Sequence, residues 1–364
     1  MDIFRFADRY WLRFRNGALT TNIESVDEIL PFIQNADPGV TVFQRGDRWS
    51  AVVKEPMFML YLETQRSRES LMAFIEGFRT GLRVHADSTE RETPLAEDVT
   101  EGEVEGLNQT YQIVPIDEQD TLIVADARMR SIVHYVDRVV APNHPAPVLI
   151  VGETGTGKEV IAKLIAKRSR RRLVPVLVSG LPPEVVPVHL FGARSGAFTG
   201  AADREGVFAA AGDGIVFLDE IGDLPVEYQS VLLRAIDRGE VQRLGEDTPV
   251  RVRCRFLAAT TAERLERIRP DLRFRLMHFY IECPPLRERP ADIVAITHYV
   301  LTQQRRRSVD ASLYTFLLER QYPGNVRQLI HFLHALADSV PGNETFTVRH
   351  TRMPMLQKLV ESLG

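Results

Sequence analysis

The stretch Val148-Leu149-Ile150-Val151-Gly152-Glu153-Thr154-Gly155-Thr156-Gly157-Lys158-Glu159 decides the fold class. Its four apolar residues read as a short buried strand, and residues 159–168 carry apolar side chains at helical spacing. Between them, glycines let successive backbone N–H groups turn toward phosphate oxygens, and the helix N-terminus adds a partial positive charge. Lys158 is then placed to contact the β- and γ-phosphates of a nucleoside triphosphate. Gly152, Glu153, Thr154, Gly155, Thr156, Gly157, Lys158 and Glu159 are accordingly the candidate ATP-binding residues. Glu159 stands where a serine or threonine usually follows the lysine, so Mg²⁺ must draw more ligands from water and from elsewhere in the chain.

Ile215-Val216-Phe217-Leu218-Asp219-Glu220 supplies that elsewhere. A buried strand delivers two carboxylates to the carboxyl edge of a parallel sheet, where ligands bind. Asp219 is the candidate metal residue and Glu220 the group that orients and polarises an attacking water. Phosphoryl transfer also needs cations, and Arg269, Arg273 and Arg275 lie near a predicted helix end. Arg327 opens a later helix and is placed to reach back to the nucleotide.

Working outward, residues 174–178, 215–218 and 255–259 are further strand candidates, and the alternation of strand and helix from 121 marks a sheet covered on both faces. After Pro284-Pro285 the pattern turns helical over 293–305, 311–320 and 325–337. Upstream, Glu90, Glu92, Glu97, Asp98, Glu101, Glu103 and Glu105 stand among few large apolar residues, which reads as an acidic linker. The expected division is therefore an α+β module of unknown type over 1–85, the linker over 86–120, an α/β subdomain over 121–283, a helical lid over 284–345 and a tail over 346–364. Within the first module, 40–44 and 49–53 flank the turn Arg45-Gly46-Asp47-Arg48, 57–62 is a third strand, and 70–82 is a helix. Phe4, Phe6, Tyr10, Trp11 and Phe14 read as core.

The bulk properties are bland. An apolar content of 44% and a net charge of -4 fit a globular protein without a broad nucleic-acid footprint. Cys254 and Cys283 sit in apolar stretches and read as buried reduced thiols. Arg5, Asp8 and Arg9 interrupt any signal peptide, and no apolar run spans a bilayer, so a cytoplasmic protein without a membrane partner is expected.

One more motif narrows the function. Gly196-Ala197-Phe198-Thr199-Gly200-Ala201, preceded by Leu190-Phe191-Gly192, is a small-residue loop with one aromatic. With the phosphate loop, residues 214–225, Pro284-Pro285-Leu286-Arg287-Glu288-Arg289 and residues 322–329, it resembles the AAA+ domain of bacterial enhancer-binding proteins, the activators of sigma-54 RNA polymerase. The resemblance covers about 121–354. It implies an ATPase that forms a ring, typically a hexamer. Gly196, Ala197, Phe198, Thr199, Gly200 and Ala201 would touch sigma-54, and Arg269 and Arg275 would act as arginine fingers in a neighbour's site. Thr260-Thr261 would form the first sensor and Arg327 the second. The expected function is ATP-dependent remodelling of the sigma-54 holoenzyme. The alternatives are an AAA+ remodeller of another complex, or a nucleotide-gated regulatory subunit with little turnover.

This sequence departs from the family at several points. Leu177 takes the place of an asparagine that couples the catalytic glutamate to the ligand state, and a leucine cannot hydrogen-bond Glu220. Thr261 replaces the common asparagine of the first sensor, residues 262–268 are shortened, and Tyr322 stands where tryptophan is more frequent. After Val348, residues 349–364 allow one short helix over 355–363. A helix-turn-helix needs more, so no sequence-specific DNA binding is expected from this chain.

Overall fold

The computed structural model describes residues 98–364, apart from 105, 106, 108, 119, 141–143, 183, 200 and 343, together with the backbone of strand segments upstream. The chain divides into two units, Met1–Thr93 and Pro94–Gly364.

In the first unit, β1 (Asp2–Phe6) and β2 (Arg9–Arg13) pair as an antiparallel hairpin that the sequence pattern did not announce. The meander β3 (Gly39–Arg45), β4 (Arg48–Glu55) and β5 (Phe58–Thr64) falls where strands were expected. Arg45 pairs with Arg48, and Gly46 and Asp47 between them lie outside the described residues. The helix expected over 70–82, Phe14, and the side chains of Phe4, Phe6, Tyr10 and Trp11 lie outside the described residues, as do Glu90, Glu92, Glu97 and Glu105.

The second unit begins with β6 (Thr100–Val104), β7 (Gln109–Pro115) and β8 (Thr121–Val124), an antiparallel sheet. From residue 98 onward the expected linker is therefore folded. Its apolar residues are few but well spaced. Val104, Tyr111 and Ile123 enter the core of the helical lid, while Val114, Ile116 and Val124 enter that of the α/β body. Its acids meet the basic face of the helix that follows the phosphate loop: Asp98 pairs with Lys167 and Arg168, and Asp117 and Asp120 with Lys163.

Beyond α1 (Ala127–Tyr135), β9 (Val148–Val151) leads through the glycine loop to α2 (Lys158–Ser169). There follow β10 (Leu173–Leu177), α3 (Val186–Phe191), β11 (Ile215–Asp219), α4 (Val226–Arg238), β12 (Arg255–Thr260), α5 (Pro270–Leu276) and β13 (Phe279–Glu282). The strands form one parallel sheet in the order β10-β11-β12-β9-β13. Because both faces are covered, its central strands are unbroken apolar runs. Leu149, Val151, Val216, Leu218, Phe256 and Ala258 face one core, and Val148, Ile150, Ile215, Phe217, Leu257 and Ala259 the other. β13 is the strand that sequence reading missed, since four residues between a helix and two prolines carry little pattern.

The lid comprises α6 (Pro290–His298), α7 (Ala311–Leu318), α8 (Asn325–Ser339) and α9 (Gln357–Ser362). The segment expected as a tail is part of it. Leu356 and Leu363 are buried with Leu329, Phe332 and Leu336, and Leu363 O accepts from Gln321 N and Tyr322 N at 3.0 and 2.9 Å. Both cysteines are buried as expected, and desolvation pushes their thiols up, to about 12 at Cys254 and about 11 at Cys283. No helix among the described residues is long and apolar enough to cross a membrane.

Tyr111 fastens the β6–β8 sheet to the lid. It is fully buried, its hydroxyl lies 3.1 Å from His298 Nδ1, and it accepts from Gln303 Nε2 at 3.1 Å. Tyr111→Ala should cost about 3–5 kcal/mol in urea denaturation through the cavity it leaves. Tyr111→Phe should cost only about 1 kcal/mol, the worth of the lost hydrogen bonding.

Candidate functional site

The parallel sheet brings the carboxyl ends of β9, β11 and β12 to one edge. There Gly152 N donates to Thr260 O (3.2 Å), which ties the glycine loop to its neighbouring strand. Gly155 sits at φ +79°, and a β-carbon there would lie 2.3 Å from Gly324 O, so only glycine fits against the lid. Gly157 caps α2 without a side-chain bond, so the N–H groups of the first turn remain open toward an anion. Lys158 is buried, and its Nζ donates to Gly152 O (2.9 Å) and Glu153 O (3.1 Å), keeping a third donor for a ligand.

Asp219 and Glu220 stand at the end of β11 as expected. Asp219 Oδ1 accepts from Glu220 N at 3.0 Å. Burial, reinforced by the neighbouring Glu220, pushes the Asp219 carboxyl above the ordinary carboxylate range. A carboxylate so disfavoured is one that a divalent cation would stabilise, and Thr260, fully buried beside it in the sheet, has a hydroxyl without a partner among the described residues. These residues fit Mg²⁺. Glu159 is exposed and lies 3.7 Å from Lys163 Nζ. Thr261 caps the 3₁₀ turn Ala262–Arg267, and its side chain bonds Glu263. Leu177 registers opposite Asp219 at the end of β10 and is 53% exposed. Glu220, at φ +55°, instead accepts from Arg264 Nη1 through Oε2 at 2.9 Å.

The lid holds the loop from the other side through residues to which sequence reading gave no role. Arg287 donates to both oxygens of Glu153 (2.9 and 2.6 Å), holding that carboxyl below its usual range. Buried Asn325 donates through Nδ2 to Glu153 Oε2 (3.1 Å) and Thr154 O (3.0 Å) and accepts from Leu286 N (2.7 Å). Val326 N donates to Gly155 O at 3.0 Å. Arg289 reaches Thr156 O (3.2 Å) and pairs with Asp292, whose Oδ1 accepts from Ala125 N and Asp126 N at 2.7 Å each. Arg287 and Arg289 lie in the Pro284–Arg289 motif, and that motif was the available signal. Arg327 is exposed and lines a cavity of about 540 Å³ with Thr154, Gln328 and His331.

The remaining candidates are apart from this centre. Around residues 196–199 the chain turns tightly, with Ala197 N bonded to Arg194 O and Ala201 N to Phe198 O. Phe198 is 49% exposed, and Gly200 lies outside the described residues. A second loop braces the turn: Arg194 N donates to Leu244 O, and Arg243 pairs with Glu246. Arg269 and Arg275 are half-exposed, paired with Asp271 and Asp237, and bond no residue of the 152–158 loop. Arg273 is buried, with its Nη1 on Glu266, and is structural.

A parallel sheet with a glycine loop, paired carboxylates and a helical lid docked on that loop defines an AAA+ nucleotide-binding unit. Residues 122–282 match the Sigma-54 interaction domain. The chain is 38% identical over 252 residues to the anaerobic nitric oxide reductase transcription regulator NorR of Aeromonas hydrophila, covering 64% of this chain and 49% of that one. It is 35% identical over 250 residues to the transcriptional regulatory protein FlbD of Caulobacter vibrioides, covering 64% and 54%. The chain thus spans about half the length of these relatives. Among solved structures, NtrX from Brucella abortus in complex with ATP is similar at TM-score 0.56 and 26% identity, covering 63% of this chain and 53% of that one.

Lys158→Ala should weaken ATP binding by about tenfold or more, because a charged donor to phosphate is lost. Equilibrium titration with a fluorescent ATP analogue checks this.

Proposed function

We propose that this chain hydrolyses ATP and uses the cycle to remodel the sigma-54 RNA polymerase holoenzyme. The observation that carries the reading is the pairing of a glycine loop and strand-end carboxylates with an exposed Phe198 on a braced turn, in a segment that matches the Sigma-54 interaction domain. Gly152, Glu153, Thr154, Gly155, Thr156 and Gly157 cradle the phosphates with backbone N–H groups, and Lys158 binds the β- and γ-phosphates. Glu159 leaves the metal to others. Mg²⁺ held by Asp219 supplies charge neutralisation on the phosphate oxygens. Glu220 orients and polarises the attacking water, Thr261 and Arg327 sense the γ-phosphate, and Arg269 and Arg275 stabilise charge in a neighbouring subunit's site. That last role requires a ring of subunits, taken as a hexamer, acting in the cytoplasm. Gly196, Ala197, Phe198, Thr199, Gly200 and Ala201 then form the tip that grips sigma-54, with Phe198 as its apolar contact.

A second reading, a nucleotide-gated subunit with little turnover, is favoured by Leu177, which offers Glu220 no hydrogen bond. Steady-state phosphate release separates the two. On the first reading the wild type turns over, and Glu220→Gln slows it by about a hundredfold or more; on the second both are near zero.

With sigma-54 holoenzyme on a supercoiled promoter, wild type should give ATP-dependent transcripts and Phe198→Ala none, while Phe198→Ala still releases phosphate. Mixing Arg275→Ala subunits with Lys158→Ala subunits should restore part of the ATPase activity. A silent mixture would count against fingers acting in trans.

A further inference from the structure

A water-activating carboxylate works only if its rotatable side chain is held in one orientation. The end of β10 offers no donor for this, because Leu177 stands there. The donor comes from the opposite neighbour, the turn that follows β12. Arg264 Nη1 donates to Glu220 Oε2 at 2.9 Å and to Asp223 Oδ2 at 2.6 Å, while Arg267 Nη1 holds the other Asp223 oxygen at 3.1 Å. The result is a ladder, Glu220–Arg264–Asp223–Arg267, in which each charge orients the next. Glu220 Oε1 accepts nothing from the described residues and stays available to a water molecule.

The approach is built into the backbone. A β-carbon on Gly222 would lie 2.7 Å from Arg264 Cβ, 2.8 Å from Arg264 O and 2.9 Å from Thr260 Oγ1. Any side chain at 222 would push the Ala262–Arg267 turn away from Glu220. The same turn starts at Thr261 and leads into Arg269, the N-cap of α5. A change at Glu220 is therefore mechanically continuous with the segment that carries the candidate fingers.

We propose that Arg264 is the positioning residue for Glu220, doing from the turn after β12 what Leu177 at the end of β10 cannot, and that the ladder joins the site's own water-activating group to the Arg269 segment. This rests on the ATPase reading. Partly exposed ion pairs contribute little to folding, so the role is in orientation rather than stability.

The test is steady-state phosphate release and ATP binding by the full chain. Arg264→Ala should lower kcat by about ten- to hundredfold, with ATP affinity and melting temperature unchanged. Arg264→Lys should recover part of the loss, since a point charge reaches Glu220 but not both carboxylates well. Gly222→Ala should lower kcat in the same way. In a Glu220→Gln background, Arg264→Ala should cause no further loss of turnover. A kcat within twofold of wild type, an additive loss in the Glu220→Gln background, or a matching loss of ATP affinity would overturn the proposal. Absence of turnover in wild type would instead overturn the ATPase reading, and the proposal with it.

Discussion

The hold of the lid on the 152–158 loop is the constraint on which the remaining geometry rests. Glu153 takes two bonds from Arg287 and one from Asn325, Gly155 O takes the amide of Val326, and Thr156 O takes Arg289. These partners sit on the lid or on the segment leading into it. An oxygen-rich loop that folds back on itself leaves carbonyls facing inward, and each needs a donor. The lid supplies them, so a shift of the loop around a phosphate is paid in lid position. The buried Arg289–Asp292 pair extends the connection to the entry of α1, because Asp292 accepts from Ala125 and Asp126.

On the sheet side the coupling runs through strand ends. β11 delivers Asp219 and Glu220, and β12 delivers Thr260 and the turn that carries Arg264, Arg267 and Arg269. Neighbouring strands in a parallel sheet present their carboxyl ends together, so four apolar residues of β11 suffice to aim two carboxylates at the loop. The turn with Phe198 belongs to a separate layer, braced by residues 243–246 and anchored through Gly192 to Leu244. In the proposed function, that layer moves relative to the strand ends.

The strands at the nucleotide edge were legible because buried parallel strands are short apolar runs, and the loop because its glycines have a mechanism. The positions of Asp219 and Glu220 at a strand end and of Lys158 at a helix start were legible for the same reason. The β6–β8 sheet was not legible: Glu101 and Glu103 suggested disorder, yet Val104, Tyr111 and Val114 bury enough to order it. Nor were Arg264, Arg287 and Asn325, since an arginine in a charged turn reads as solvated until the fold brings a carboxylate to it. Tyr111 shows the general difficulty. Its partners His298 and Gln303 are far away in sequence, and no local period encodes such a pairing.

The most direct measurement is capture of purified sigma-54 by this chain, with and without a transition-state analogue of ATP hydrolysis, for wild type and Phe198→Ala. The account predicts capture by the wild type only when the analogue is bound, and loss of capture in Phe198→Ala with the analogue still bound. Capture that ignores the analogue, or that survives removal of the phenylalanine, would contradict it.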